Sequence, residues 1–324
     1  MITVFSIGSF QVTLWAVLAA ALILAAIVYM VFALRRQGWT ALQAVFCCIC
    51  AGAGSLLLGR ALFFAIRPEF LTDPMGDFRG IGPVFDPSVG SASIIGILAG
   101  LLAGSLGAAA CLKRDAAAAW DAFAVPGLLL FAAFRFIEPL TGQGFGPFIT
   151  EPFLCFVPLG IRSGWGSWML SVCFIEGLLL LAAALITRRL KLRSRGSQTL
   201  CALILLSLLQ IIPESMRCDD VLKIFIFARV TQLGYCLAMV ISAVFCWRKA
   251  ARQGAGRNAV IREASAVGAG ILLLVAGEFA LDKMNWPDWI IYLAMGLILL
   301  GMLVILLRRL VRNDRETLQR EPGE

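Results

Sequence analysis

The sequence predicts an all-α polytopic membrane protein, and three observations carry that expectation. Hydrophobic residues make up 60% of the 324-residue chain and charged residues only 15%, with a mean hydropathy of +0.89. That balance lies outside the range of ordinary soluble domains. The apolar residues gather into about nine transmembrane stretches, each near the roughly 20 residues needed to cross a hydrocarbon core. They run 12–34, 42–66, 92–112, 119–137, 168–187, 198–213, 231–247, 264–281 and 288–307. Third, the charges sit mainly at the ends of those stretches, and basic clusters recur on every second connection.

Those clusters set the expected topology. Arg35 and Arg36 follow the first stretch, Lys113 and Arg114 the third, and Arg188, Arg189, Lys191, Arg193 and Arg195 the fifth. Arg248, Lys249, Arg252, Arg257 and Arg262 follow the seventh, and Arg308, Arg309, Arg312, Arg315 and Arg320 close the chain. Basic connections stay in the cytoplasm, so the N-terminus is expected outside and the C-terminus inside. The first stretch lacks a basic leader and a small-residue cleavage site, and reads as an anchor. In the third, Gly96, Gly100 and Gly104 recur every four residues, the pattern of a close helix–helix contact in a membrane. Between stretches on the outer side lie two longer segments. Residues 67–91 are rich in Pro, Gly and Asp, and 138–167 carry Phe145, Phe148, Phe153, Phe156 and Trp165. The aromatic residues suit an interfacial anchor or a lid over a lipid-facing site.

Composition also excludes function classes. The formal net charge of +8 is spread over short membrane-flanking clusters, and the polar loops are too short for a nucleic-acid-binding domain. Most of the 10 cysteines lie in or beside apolar runs, where cysteine acts as a small hydrophobe. Cys155 and Cys218 fall in loops, and there is no CxxC. The chain has 0 histidines, so the commonest general base and metal ligand are both missing. No metal site and no cofactor are expected.

What remains is a set of charges within or beside apolar stretches, where charge is costly and marks function by default. Arg135 and Glu138 stand three apart at the end of the fourth stretch, before Pro139 and the glycines Gly142, Gly144 and Gly146. That spacing puts the pair on one helix face. Gln210, Glu214 and Arg217 share a face around Pro213, which is expected to kink its helix. Arg60 ends the second stretch. Guanidinium forks converging at one depth would suit a phosphate, and single arginines would instead snorkel to the interface. Asp121 and Glu176 are expected to form structural pairs, as is the group Glu278, Asp282 and Lys283.

Several of these residues resemble the motifs of the prolipoprotein diacylglyceryl transferases, bacterial enzymes of seven membrane spans. The likeness covers most of residues 10–247. Gly59-Arg60-Ala61-Leu62-Phe63-Phe64 looks like the arginine-bearing end of that family's second span. Ser91-Ala92-Ser93-Ile94-Ile95-Gly96 falls at its HGGLIG motif. FRFIEPLTGQGFG is similar, without a gap, to the signature GRxGNFxNGExxG, matching Arg135, Gly142 and Gly146. Gln210, Glu214, Arg217 and Asp220 fall on RxxxExxRxxD, and Thr231-Gln232 resembles the Gly-Gln that follows it. The chain departs from the pattern at Ser91, Glu138, Thr141, Gln143 and Gln210, and Gly166–Val172 lacks the HPSQLYE motif.

The resemblance implies a seven-span transferase-like core, residues 1–250, with an added two-helix hairpin and basic tail over 251–324. It implies a bacterial cytoplasmic (inner) membrane protein that moves a diacylglyceryl group from phosphatidylglycerol to the thiol of a lipobox cysteine on a precursor protein. Arg135, Glu138, Glu214 and Arg217 would be catalytic. Arg60, Gly142, Gln143, Gly146, Gln210 and Gln232 would bind substrate. With no histidine, Glu138 or Glu214 would take the thiol proton. Two other readings stand beside this one. One is an inactive relative that binds lipid or a partner protein; the other is a small transporter, disfavoured because the charges gather at one face.

Overall fold

The computed structural model describes residues 3–7, 10–72, 80–85, 92–162, 166–218, 229–284 and 286–320. Nine long helices dominate these residues: α1 (Leu14–Arg36), α2 (Ala41–Ile66), α3 (Ile94–Cys111), α4 (Ala116–Ile137), α5 (Val172–Arg189), α6 (Ser197–Met216), α7 (Val230–Arg252), α8 (Arg257–Lys283) and α9 (Asp288–Arg320). All but α5 are long and apolar enough to cross a membrane, consistent with a polytopic membrane protein. Their outward faces carry exposed Leu24, Val28, Leu272, Leu297 and Leu300. Such faces find their natural solvent in lipid.

The fifth expected span differs most from its sequence reading. Its first residues, Trp168–Ser171, form a strand, and the helix begins only at Val172. The remaining 18 residues include Glu176, Arg188 and Arg189 and reach about 27 Å at 1.5 Å per residue. The cause is tertiary. With β1 (Thr3–Ile7) and β2 (Phe10–Thr13) forming a hairpin, the next strands are β3 (Phe145–Phe148), β4 (Gly160–Arg162) and β5 (Trp168–Ser171), in spatial order β3-β5-β4. Phe145 pairs with Ser171 and Arg162 with Trp168. Two partner strands supply the β5 backbone with its hydrogen-bond partners in place of one more helical turn.

The chain divides into two compact units. The second unit spans Ile27–Phe123 and Leu222–Gly234. Its centre is the contact between α2 and α3. A Cβ added at Gly100 or Gly104 would run into the backbone of Gly54 or Cys50, so only hydrogen allows this approach. The four-residue glycine spacing is therefore a packing face, as expected. Thr40 and Gln43 form a capping box at the start of α2, with Gln43 N donating to Thr40 Oγ1 at 3.3 Å and Thr40 N to Gln43 Oε1 at 3.1 Å.

The first unit spans Met1–Ala26, Ala124–Val221 and Tyr235–Glu324. Within it α6 packs on α5 and α9, and α9 also packs on α8. The α8–α9 hairpin thus packs within this unit, through the contact of α9 with α6. Its end is tied down by polar contacts. The Asp314 carboxylate accepts from the backbone N–H of Arg193 and Ser194 at 3.1 and 2.7 Å. Asn313 Nδ2 donates to the Cys246 carbonyl at 2.7 Å, and Gln253 Nε2 donates to the Asn313 carbonyl at 3.0 Å. All 10 cysteines, Cys155 and Cys218 included, are free thiols.

The α2–α3 contact makes a direct prediction. Gly100→Leu should destabilise the second unit by about 1–3 kcal/mol or more, since overpacking against backbone cannot be relieved by a rotamer change. The melting temperature in detergent should fall well below that of Gly107→Leu, because Gly107 has open space around it. Equal melting temperatures would disprove the close contact.

Candidate functional site

The charges singled out in the sequence meet in the first unit, at the junction of α4, α5 and α6. Arg135 lies on the last turn of α4, and the chain then tightens into a 3-10 turn over Glu138–Thr141. Thr141 Oγ1 donates to the Glu138 carbonyl at 2.7 Å, and Gly142 leaves the turn with φ of 78°. A side chain at that φ would be strained, which accounts for glycine there. The chain next runs back as β3 beside the start of α5. Cys173 N donates to the Gly144 carbonyl at 3.0 Å, and a Cβ on Gly146 would lie 2.6 Å from Val172 Cγ2. Gly142, Gly144 and Gly146 thus act through the backbone. They let the loop lie flat on α5 and hold Arg135, Glu138 and Glu176 together.

The third contribution comes from the end of α6. The helix continues through Pro213 to Met216, so Glu214 stays on the helical face it shares with Gln210, and Arg217 follows as the C-cap. Cys218 N donates to the Phe145 carbonyl at 2.8 Å, fastening this end to β3.

Five charged side chains form one network. Arg135 Nη1 donates to Glu138 Oε2 at 2.7 Å, Nε faces Glu176 Oε2 at 3.1 Å, and Nη2 lies 3.8 Å from Glu214 Oε2. Arg217 Nη1 donates to Glu176 Oε2 at 3.0 Å, and its Nη2 pairs with Glu138 Oε1. Glu138 and Glu176 each bridge both arginines. Four of the five are buried, and the Glu138 side chain is the most open at 15%. Burial works to lower the Arg217 pKa, but Glu176 and Glu138 outweigh it and hold the guanidinium above its ordinary value. Three carboxyl groups thus face two guanidinium groups.

Two members were not singled out for this site in the sequence. Glu176, expected only as a structural pair, is fully buried at the centre of the network. A lone carboxylate early in an apolar helix was the available signal. Tyr235, in the second turn of α7, buries its hydroxyl within electrostatic reach of Arg135, Glu214 and Glu176. Nothing in its local sequence marks it.

The other expected site residues have different surroundings. Gln210 is fully buried, and among the described residues its amide has no hydrogen-bond partner. Gln143 is exposed in the loop after Gly142. Arg60 belongs to the second unit, where Nε and Nη2 donate to the Val84 and Pro83 carbonyls at 2.5 and 2.8 Å over the Phe64 ring. It clasps the loop turn Gly82–Phe85. Gln232, in the same unit, accepts from Arg229 N at 3.1 Å through Oε1 and acts at the start of α7. Ser91, Asp220 and Trp165 lie outside the described residues. Lys283 pairs with Asp282 at 3.2 Å on the surface.

Fold and site together define a helical membrane protein with a buried guanidinium–carboxylate network. No protein-family model matches the chain, and no curated protein matches it in sequence.

The network predicts unequal costs. Glu176→Ala strands two buried guanidinium contacts and should destabilise by about 3–5 kcal/mol. Glu138→Asn should cost clearly less, because this carboxylate is the most exposed and the network retains Glu176 and Glu214 for the two arginines. Thermal unfolding in detergent measures both; a larger loss for Glu138→Asn would reverse the assignment of the central carboxylate.

Proposed function

We propose that this chain is a divergent glycerolipid transferase of the bacterial cytoplasmic membrane, with its N-terminus outside and its site near the outer face. It moves a diacylglyceryl group from phosphatidylglycerol to the thiol of a lipobox cysteine. The observation that carries this reading is the convergence of Arg135 and Arg217, from separate helices, on one buried set of carboxylates. The reaction needs both kinds of group. The thiol sulfur forms a bond to the glyceryl carbon, the carbon–oxygen bond to phosphate breaks, and glycerol phosphate leaves with the electron pair. A guanidinium fork matches the departing phosphate and stabilises its charge. A carboxylate takes the thiol proton. Glu138 is the best placed to make room, since it is the most open member and contacts both arginines; a lipid phosphate would replace it there.

The test is a purified chain supplied with phosphatidylglycerol and a lipobox peptide, with the thioether product read by mass. Arg135→Lys, which keeps the charge but loses the fork, should lower the rate by about 10²–10³-fold with helicity unchanged. Product formed at the full rate by Arg135→Lys would remove that residue from the mechanism.

A second reading is favoured by one specific observation: each guanidinium already has carboxylate partners. A network so completed is a stable lipid-binding or partner-binding scaffold without turnover. No thioether from the unaltered chain, together with phosphatidylglycerol binding that Arg135→Ala abolishes, would support this reading against the first.

A further inference from the structure

A separate cationic face lies at the far end of α9. Exposed Trp286 and Trp289 mark one end of this helix, as tryptophans do at a membrane interface. Its 33 residues extend about 50 Å, well beyond a hydrocarbon core of about 30 Å. Counting about 20 residues from Asp288 brings the opposite boundary to Arg308. Arg312 and Arg315 follow at about 6 and 10 Å further along the axis, within or just past the headgroup layer. Arg308, Arg312 and Arg315 share one face and line a shallow depression together with Leu307 and Val311.

The opposite face of the same segment is closed. Leu306, Arg309, Leu310, Asn313 and Asp314 are buried. Arg309 Nε and Nη2 pair with Glu263 at 2.7 and 2.5 Å, and Asp314 and Asn313 are hydrogen-bonded as described above. These contacts hold the helix end rigidly and turn the three exposed arginines outward. Arg312 reaches Glu316 at 2.7 Å in an exposed pair, the kind that contributes little and exchanges readily for another anion.

We propose that this face binds the phosphate of anionic phospholipids in the leaflet at the C-terminal end of α9, with the start of the acyl chains against Leu307. Charge complementarity at headgroup depth selects this occupant, and the proposal is independent of the chemistry assigned to the Arg135–Arg217 network.

The experiment titrates the full chain in detergent with phosphatidylserine, phosphatidylcholine or inorganic phosphate, and reads bound lipid by native mass spectrometry. The same titrations use the triple variant Arg308→Gln, Arg312→Gln, Arg315→Gln and the matching triple lysine variant. The network is unaltered in all three proteins, so differences report this face alone. Phosphatidylserine should bind more tightly than phosphatidylcholine. Its affinity should fall by on the order of a hundredfold in the glutamine variant, about fivefold per arginine, and should persist in the lysine variant. An unchanged affinity in the glutamine variant would overturn the proposal. So would displacement of the lipid by an equal concentration of inorganic phosphate, or loss of lipid from both variants at unchanged helicity.

Discussion

The sharing of Glu138 and Glu176 between Arg135 and Arg217 is the interaction on which the first unit depends. A single guanidinium buried among apolar helices would face a desolvation cost that one carboxylate does not reliably offset. Bridging carboxylates change that balance, because each negative group serves two cations and each cation finds several acceptors. The arrangement also explains the backbone around it. Gly144 and Gly146 let the loop after α4 lie against α5, and the Cys218–Phe145 hydrogen bond brings the end of α6 alongside. Without that fit the five side chains could not meet.

The same constraint shapes what chemistry is open to the site. A completed ionic network is rigid and preorganised, which suits the stabilisation of a departing phosphate. It is also self-satisfied, so an anionic ligand must displace a carboxylate before it can be held. Glu138 concentrates this tension. It contacts both arginines, yet it lies at the open side of the network and stands where the resembled family keeps a neutral amide. In the proposed transferase reading, its exchange for a lipid phosphate is the step on which turnover would depend.

Elsewhere the fold meets the demands of a membrane in two ways. The second unit relies on backbone proximity, with Gly54, Gly100 and Gly104 removing side chains from between α2 and α3 so that dispersion contacts accumulate. The end of α9 relies on polar closure, with Asn313 and Asp314 bonded to backbone groups of neighbouring segments. Arg309 and Arg312, three residues apart, then have opposite fates. One is buried against a neighbouring helix, and the other is exposed. The packing of α8 separates them, since Glu263 reaches Arg309 while Arg312 meets Glu316 of its own helix.

Properties that repeat along one helix were legible in the order of residues. Hydropathy placed eight helices long and apolar enough to span a membrane to within a few residues at most ends, four-residue glycine spacing marked the α2–α3 contact, and three-residue spacing paired Arg135 with Glu138. These follow from local geometry, and local geometry is written in the order of residues. Only the tertiary structure decided what crosses between elements. It turned Trp168–Ser171 into a strand because two partner strands were available. It moved Glu176 from an expected structural pair to the centre of the network and added Tyr235. It also gave Arg60 the carbonyls of Val84 and Pro83, and gave Gln232 a place at the start of α7. Each outcome depends on which group meets a side chain across space, and residues far apart in the chain carry no local signal of that meeting.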